Sequence, residues 1–331
     1  MRQTYTKDQI ISAIEPYDVG SIIEFHYFEV GIENTNIYIK TQKGEFVLKF
    51  FEKSGGNDLM SAEFEVSLME RAWSCGLLVP KPLAMTDGRV VRQVDGKPTV
   101  LMTFLDGENI YNRQVSLEFI SEVGNMAARL DKCFVGFNPT GHESSEHYWD
   151  LKRFEVSKRF LPFLKDDKSA DVDFINQIYH DYKNALVPAF DKLQKGYIHN
   201  DIAAHNILSK NGRLSGLVDF GDAVNAYLVF EVAVTIAQLC MLQNDWQKAI
   251  KAFVQSYCFI LPLCKEELDI LYDLVCCRSA NMVVVCNGLY HSDSPRQDYI
   301  WFRDQGVENL KKLKKLGKQK FDELIYEATN S

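Results

Sequence analysis

The sequence has no excess of basic residues. Its 37 Lys and Arg residues are outnumbered by 45 Asp and Glu residues, which gives a formal net charge of −8 at pH 7. General binding to nucleic acid depends on clustered Lys and Arg side chains that neutralise phosphates. The charge therefore argues against nucleic acid as a partner, although one small basic site for a single nucleotide is compatible with it.

Long apolar runs are also missing. A membrane-spanning helix needs about 20 consecutive apolar residues, and the longest apolar stretches here, at residues 229–242 and 283–286, are interrupted by polar residues or short. The first twenty residues contain polar side chains throughout and lack the apolar centre of a signal peptide. We expect a cytoplasmic protein without a membrane partner.

Paired cysteine motifs are the third absence. None of the eight cysteines forms a CxxC pair or shows the spacing of a zinc site, and most lie in apolar segments. This pattern predicts reduced cysteines in the core of an intracellular protein. The eight are Cys75, Cys133, Cys240, Cys258, Cys264, Cys276, Cys277 and Cys286.

The first hundred residues have mostly strand-like composition. A Thr6 N-cap and apolar residues at helical spacing predict a helix over 6–14. Strand patterns follow at 22–30, 37–41 and 45–51, then a helical stripe at 59–73, then strand patterns at 83–91 and 98–104. The remainder is helical in spacing at 116–133, 172–193 and 229–327, with one strand pair at 207–209 and 214–220. We predict an α+β fold with a sheet-rich amino-terminal part and a helical carboxyl-terminal part.

The most informative stretch is residues 197–222, YIHNDIAAHNILSKNGRLSGLVDFGD. Asp201 is followed by Asn206 and then by Asp219 in a DFG triplet, with a strand, a turn and a strand before that triplet. A nucleophilic hydroxyl needs a carboxylate to accept its proton, and Mg²⁺ prefers carboxylate and amide oxygens. The same order of Asp, Asn and DFG Asp occurs in kinases. The combination predicts a phosphotransfer site.

The same stretch resembles the aminoglycoside phosphotransferase superfamily, which also includes choline kinases and a homoserine kinase type. This resemblance implies a two-lobed protein-kinase-like fold, with a nucleotide-binding lobe over 1–103 and a catalytic, substrate-binding helical lobe over 104–331. It implies Asp201 as catalytic base or substrate-orienting carboxylate and Asn206 and Asp219 as Mg²⁺ ligands, with Asp222 in a supporting role. His199 is interpreted as a structural residue of the loop, and His205 as a loop residue or a substrate contact.

The resemblance also places a nucleotide site in the amino-terminal part. Lys49 lies on a strand where the kinase fold has the lysine that pairs with the phosphates. Either Glu63 or Glu65 of the next helix is its expected partner, with Glu63 slightly favoured. The turn of residues 31–36 is expected to cover the phosphates, and residues 102–105 to contact the purine of GTP or ATP through their backbone. The residues expected to contact the nucleotide are Asn34, Thr35 and Asn36 in the turn, and Met102 and Phe104 in the purine-contacting segment.

The carboxyl-terminal lobe resembles the hydroxylysine kinase branch of this superfamily, over residues 216–239 and 274–329. This resemblance implies phosphorylation of the side-chain hydroxyl of 5-hydroxy-L-lysine, with GTP as donor and Mg²⁺ required. The loop HNDIAAHN departs from the expected pattern, since Asn200 replaces an expected Gly and Ala203 and Ala204 replace an Asn-Asp pair. Arg278, on an otherwise apolar helix, could hold a substrate carboxylate or form a buried ion pair.

Other interpretations of the sequence stay open at this stage. The GIENTN turn is similar to the homoserine kinase type, and choline-like or aminoglycoside acceptors use the same phosphotransfer residues. A catalytically silent kinase-like binding module is a further class. It is disfavoured because Lys49, Asp201, Asn206 and Asp219 are all present.

Overall fold

The computed structural model describes residues 4–28, 34–52, 58–143, 148–165, 167, 169–292 and 295–330. The chain divides into two compact units. The first comprises residues 1–107, 136–145 and 215–221, and the second comprises 108–135, 146–214 and 222–331. The residues on either side of the DFG triplet therefore belong to different units.

The first unit is built on a five-stranded antiparallel sheet of strand order β1-β2-β3-β5-β4. This sheet confirms the strand patterns predicted at 37–41, 45–51 and 98–104, and the pattern predicted at 22–30 as far as Tyr27, since residues 29 and 30 lie outside the described residues. Its inner face packs on apolar side chains such as Ile37, Leu48 and Leu101, which are fully buried. The strands are β1 (Ile22–Tyr27), β2 (Thr35–Thr41), β3 (Gly44–Phe50), β4 (Arg92–Val94) and β5 (Lys97–Thr103).

Two helices accompany this sheet. α1 (Lys7–Ile14) begins at Thr6, whose hydroxyl accepts from the backbone N–H of Gln9 in a capping box. α2 is Asp58–Ser74. Both helices confirm the sequence-based prediction.

The strand predicted at residues 83–91 is wrong. Met85 N–H donates to the carbonyl of Arg89, and Gly88 has a φ of +87°, so the Asp87-Gly88 turn occupies the middle of the segment. The remaining extended residues are too few for a strand before β4. Turn chemistry therefore outweighed the apolar composition of this segment.

The second unit is mostly helical. Two short sheets contain the strands that precede and follow the loop at residues 199–206. One consists of β7 and β10, and the other has the strand order β6-β8-β9. The strands are β6 (Glu108–Asn109), β7 (Lys195–Ile198), β8 (Ile207–Lys210), β9 (Arg213–Leu217) and β10 (Val224–Tyr227). The helices are α3 (Leu117–Phe134), α4 (Val172–Asp181), α5 (Leu228–Gln238), α6 (Trp246–Ile260), α7 (Lys265–Ser292), α8 (Gln297–Leu316) and α9 (Lys318–Thr329). A 3₁₀ segment, Leu151–Leu164, precedes α4.

The helix predicted over 172–193 is not continuous. α4 ends at Asp181, a π-helical turn follows at Tyr182–Leu186, and a 3₁₀ turn follows at Val187–Lys192. Pro188 explains part of the break, because a proline has no N–H for an α-helical hydrogen bond. Strands β7 and β10 are too short for their patterns to be recognised in the sequence.

The prediction of eight reduced cysteines is wrong for two of them. Cys75 and Cys133 are disulfide-bonded. The other six are free, and four of those, including Cys276 and Cys277, are buried as expected. Within the described ranges, no helix combines the length and apolar character needed to span a bilayer.

Candidate active site

The loop between β7 and β8 carries Asp201 and depends on an unusual backbone conformation. Asn200 has a φ of +63°, in the left-handed region that glycine and asparagine tolerate best. Its side-chain Nδ2 donates to the carbonyl of Asp222 at 3.1 Å. The departure from an expected Gly at this position is therefore accommodated by the loop.

The Asp201 carboxylate is fixed by four side chains. Its Oδ1 accepts from Gln238 Nε2 at 2.6 Å and from Arg278 Nη2 at 3.2 Å. Its Oδ2 accepts from Asn206 Nδ2 at 2.7 Å and lies 3.0 Å from His205 Nε2. Asp201 is only 9% exposed. A carboxylate held from both sides has a single defined orientation.

The surroundings of Asp201 lower the pKa of its carboxyl group well below the usual range. Burial opposes this shift, because it penalises the charged form. The charge and hydrogen bond of His205 outweigh burial, together with the charge of Arg278. Asp201 is thus ionised at neutral pH and can act as a proton acceptor.

Arg278 on α7 is fully buried, and its guanidinium forms an ion pair with Asp201 and is not in contact with solvent. Its Nε donates to Gln238 Oε1 at 3.1 Å and its Nη1 to the carbonyl of Trp149 at 3.0 Å. The guanidinium also lies 4.9 Å from the centroid of the Trp149 ring. Of the two interpretations left open by the sequence, the structure supports the buried ion pair.

Helix α5 supports the loop with a polar stripe that the sequence-based reasoning missed. Glu231 and Gln238 lie seven positions apart on this largely apolar helix, which places them on one face. Glu231 Oε2 accepts from the backbone N–H of His199 and, at 3.0 Å, from that of Asn200. Burial raises the pKa of Glu231 to about 7, against the opposing effect of these N–H donors. The sequence signal that could have revealed this stripe is the pair of polar residues Glu231 and Gln238, seven positions apart in a largely apolar helix.

The remaining loop residues have defined positions. His199 is fully buried, and its Nδ1 accepts from the backbone N–H of Asp201 at 3.3 Å, as expected for a structural residue. Asn206 uses its amide nitrogen for Asp201, so its amide oxygen is the atom suited to a cation. His205 is not a plain surface residue, because its imidazole contacts the carboxylate.

In the first unit, Lys49 lies between two carboxylates. It forms a buried ion pair with Glu65 of α2, and its Nζ lies 3.3 Å from Asp219 Oδ1. Burial lowers the pKa of Lys49, but the charges of Glu65 and then Asp219 outweigh it and raise the pKa above its usual value. This lysine is therefore always charged and suited to bind phosphate oxygens.

The partner of Lys49 is Glu65, and the slight preference for Glu63 was wrong. Of the apolar stripe predicted for α2, Phe64, Leu68 and Ala72 are buried, whereas Met60 is 42% exposed. The buried side chains include Ala62 and Met69, three positions before and four after Glu65. Glu65 thus lies on the buried face of α2, and Glu63 does not.

Only part of the predicted phosphate-covering turn can be examined, since residues 31–33 lie outside the described residues. Asn36 is opposite Lys49 in the β2–β3 pair, and directly opposite residues share a face of the sheet. Thr35 is on the other face, where its hydroxyl donates to Glu52 at 2.6 Å. Asn34 Oδ1 accepts from the Glu52 N–H at 3.3 Å. Asn36 is therefore the residue of this set that shares a face with Lys49.

The expected purine-contacting segment includes the end of β5. Met102 pairs with Val47 inside the sheet. Phe104 N–H donates to the carbonyl of Glu45 at 3.1 Å. This N–H is therefore already used within the sheet and is not available to a purine.

The backbone of the DFG segment places the Asp219 carboxylate beside Gly221. Asp219 has a φ of +64°, and its carboxylate is about half exposed. A Cβ at Gly221 would lie 3.2 Å from Asp219 Oδ1 and 3.7 Å from Glu65 Oε2, so the absence of a side chain there leaves space beside the carboxylates. No group of three or more His, Cys, Asp or Glu side chains that could hold a metal occurs in the part of the chain the structure describes.

Comparison with protein families gives one match across this region. The family model described as phosphotransferase enzyme family, APH, matches residues 24–267. A homoserine kinase from Rhizobium meliloti is 28% identical over 276 residues, covering 80% of this chain and 79% of that protein. A hydroxylysine kinase from Xenopus laevis is 24% identical over 328 residues, covering 90% of this chain and 87% of that protein.

Solved structures show the same fold at low sequence identity. An aminoglycoside phosphotransferase from Alicyclobacillus acidocaldarius has a TM-score of 0.67 at 11% identity, covering 99% of this chain and 98% of that chain. An amicoumacin kinase in complex with AMP-PNP, Ca²⁺ and Ami has a TM-score of 0.66 at 11% identity, covering 93% and 94%. A microcompartment-associated aminopropanol kinase has a TM-score of 0.63 at 14% identity, covering 94% and 97%. These likenesses confirm the predicted protein-kinase-like α+β fold.

Proposed function

Because the chain belongs to the phosphotransferase enzyme family, we propose that it transfers the terminal phosphoryl group of GTP or ATP to the hydroxyl group of a small amino alcohol. The proposed acceptor is 5-hydroxy-L-lysine. The match to the Xenopus laevis hydroxylysine kinase supports this acceptor, because it extends over 328 residues and 90% of the chain. It covers a larger share of the chain than the homoserine kinase match, at 90% against 80%.

The observation that carries the proposal is the state of Asp201. Its carboxylate is ionised, oriented by Gln238 and Arg278 on one oxygen and by Asn206 on the other. A silent binding module has no need for an ionised, partly buried carboxylate, which costs free energy unless it is paired. The geometry is that of a proton acceptor held ready for a hydroxyl group.

In the proposed reaction, the acceptor oxygen attacks the terminal phosphorus, and the bond from that phosphorus to the bridging oxygen breaks. Asp201 takes the proton of the attacking hydroxyl, and the nucleoside diphosphate leaves with the bridging oxygen. Lys49, held by Glu65, would bind phosphate oxygens. Asp219 and Asn206 would hold Mg²⁺, which neutralises phosphate charge when bound. One carboxylate and one amide suit Mg²⁺, since this ion keeps waters and phosphate oxygens among its ligands.

Homoserine is the second candidate acceptor. The Rhizobium meliloti homoserine kinase has the higher identity of the two curated relatives, at 28%. Both candidates carry an ammonium group, a carboxylate and a primary or secondary hydroxyl. The residues proposed for phosphoryl transfer would act in the same way on hydroxylysine and on homoserine, so the choice between these acceptors must be tested with substrates.

The test is release of nucleoside diphosphate with GTP or ATP, Mg²⁺ and a panel of acceptors: hydroxylysine, homoserine, choline, ethanolamine and an aminoglycoside. Release with hydroxylysine, faster with GTP, is the expected result. Release with another alcohol alone would reject hydroxylysine and keep the kinase. Nucleotide binding without release for any acceptor would reject the proposed function in favour of a silent module.

A further inference from the structure

Of the four side chains that contact the Asp201 carboxylate, His205 is the most exposed. Three of these four, Gln238, Arg278 and Asn206, are at most 6% exposed. The fourth, His205, keeps 25% of its side chain exposed and contacts Oδ2. An acceptor hydroxyl can therefore approach Asp201 from the His205 side.

Three aromatic side chains stand on this side. Phe302 of α8 meets the His205 ring edge-on at 5.3 Å between centroids, and its neighbour Trp301 at 5.0 Å. Tyr111 lies 4.3 Å from Trp301 and 6.3 Å from Phe302. All three are partly exposed. We call Tyr111, Trp301 and Phe302 the aromatic cluster.

The cluster is tied to the catalytic loop through the backbone as well. The N–H of Ile110 donates to the carbonyl of Ala204 at 3.1 Å, which joins the residue before Tyr111 to the residue before His205. The short strand β6 pairs with β8 at Asn109 and Leu208. The aromatic rings are thus held at a fixed place relative to Asp201.

The Asp298 carboxylate lies near Tyr111 of the cluster. Burial and the nearby Asp298 carboxylate together raise the pKa of the Tyr111 hydroxyl to about 12. Asp298 also pairs with Arg296 at 2.8 Å, so its charge is shared. The faces of the rings carry negative potential of their own, and Trp has the strongest attraction for an ammonium group.

Resting on the proposed phosphoryl transfer, we propose that the aromatic cluster binds the ammonium end of the amino-alcohol acceptor while its hydroxyl reaches Asp201. A group of partly exposed rings beside His205, the most exposed neighbour of Asp201, suits a short aliphatic chain with a terminal cation. Trp301 and Phe302 lie beyond residue 267, where the family match ends. The subsite would therefore distinguish this chain from relatives that share only the phosphotransfer residues.

The experiment is calorimetric binding of 5-hydroxy-L-lysine, 3-amino-1-propanol and 1-butanol, in which a methyl group replaces the ammonium of aminopropanol. Wild type is compared with Trp301→Leu and Phe302→Leu, which keep an apolar side chain, and with Trp246→Leu, a partly exposed helical Trp outside the cluster. We expect both cluster variants to bind the two ammonium ligands about tenfold more weakly. Binding of 1-butanol and AMP-PNP should be unchanged, and Trp246→Leu should match wild type.

Equal weakening for 1-butanol would show an apolar wall without a cation site and overturn the proposal. No weakening in either variant, with unchanged melting temperature, would overturn it as well. If wild type binds the ammonium ligands and the variants lose them, but no acceptor is phosphorylated, the subsite stands and the proposed function fails. Failure of wild type to bind either ammonium ligand rejects the subsite whatever the nucleotide assay shows.

Discussion

The guanidinium of Arg278 lies within hydrogen-bonding distance of the Asp201 carboxylate, with 3.2 Å between Nη2 and Oδ1. Arg278 is fully buried on α7, far along the chain from the loop that carries Asp201. This ion pair fixes the orientation of the Asp201 carboxylate and favours its charged form. This relationship leads to the first two predictions.

Replacing Arg278 with Gln should shift the pH dependence of catalysis. The positive charge of Arg278 helps to lower the pKa of Asp201, so its removal raises that pKa and moves the acidic limb of the kcat profile to higher pH. Arg278→Lys should restore part of the shift, because it keeps the charge. An acidic limb at the wild-type pH in Arg278→Gln would contradict a role for this charge. Melting temperatures are needed alongside, since the substitution leaves Asp201 buried with one donor fewer.

Asp201→Asn should lower kcat by about 10³-fold or more, because an amide cannot accept the proton. Nucleotide affinity should stay near that of wild type. The substitution also places an NH₂ group against surrounding donors, which should destabilise the fold by about 1–3 kcal/mol. Turnover measured under saturating nucleotide and acceptor checks the first effect, and urea unfolding checks the second. Wild-type turnover in this variant would remove Asp201 from the mechanism.

The ion pair of Lys49 offers a matched comparison on α2. Glu65→Gln leaves the buried Lys49 without its closest counter-charge, whereas Glu63→Gln changes a residue that has no contact with Lys49. We expect Glu65→Gln to raise the KM for nucleotide about tenfold or more and to destabilise the fold by roughly 3 kcal/mol. Glu63→Gln should be close to wild type in both measurements. Similar effects of the two substitutions would contradict the assigned pairing.

Glu231 predicts a pH dependence of stability. Burial raises its pKa to about 7 in the folded protein, above the value of about 4.3 in an unfolded chain. Between these values the folded state binds more protons than the unfolded state, so this group makes stability decrease as pH rises from about 4.3 to about 7. Glu231→Gln can still accept from the His199 and Asn200 N–H groups. Urea unfolding of this variant between pH 5 and pH 8 should show a flatter profile than wild type, and an unchanged slope would reject the assignment.

Several elements were predictable because their signals are local. The Thr6 cap, four of the five strands of the antiparallel sheet (β1, β2, β3 and β5) and the helix α3 each follow from a few neighbouring residues. The order of Asp201, Asn206 and Asp219 was sufficient to predict phosphotransfer. Where a turn competed with apolar composition, as at residues 83–91, the local signals conflicted and the prediction was wrong.

Contacts between distant segments were not predictable in this way. Choosing Glu65 over Glu63 requires knowing which face of α2 packs against the sheet, and that depends on the surroundings of the whole helix. Gln238 and Glu231 stood out only as polar residues on an apolar helix, without any indication of their partners. The aromatic cluster combines a residue after β6 with two on α8.

The sequence by itself determined the reaction class, because Asp201, Asn206 and Asp219 occur in the order typical of kinases along one short segment. The tertiary structure alone decided how the Asp201 carboxylate is oriented and in which direction its pKa is shifted. Arg278, Gln238 and His205 reach the same carboxylate from α7, α5 and the loop. Charge and burial act through space, so the ionised state and the orientation of Asp201 follow from packing and not from the order of residues.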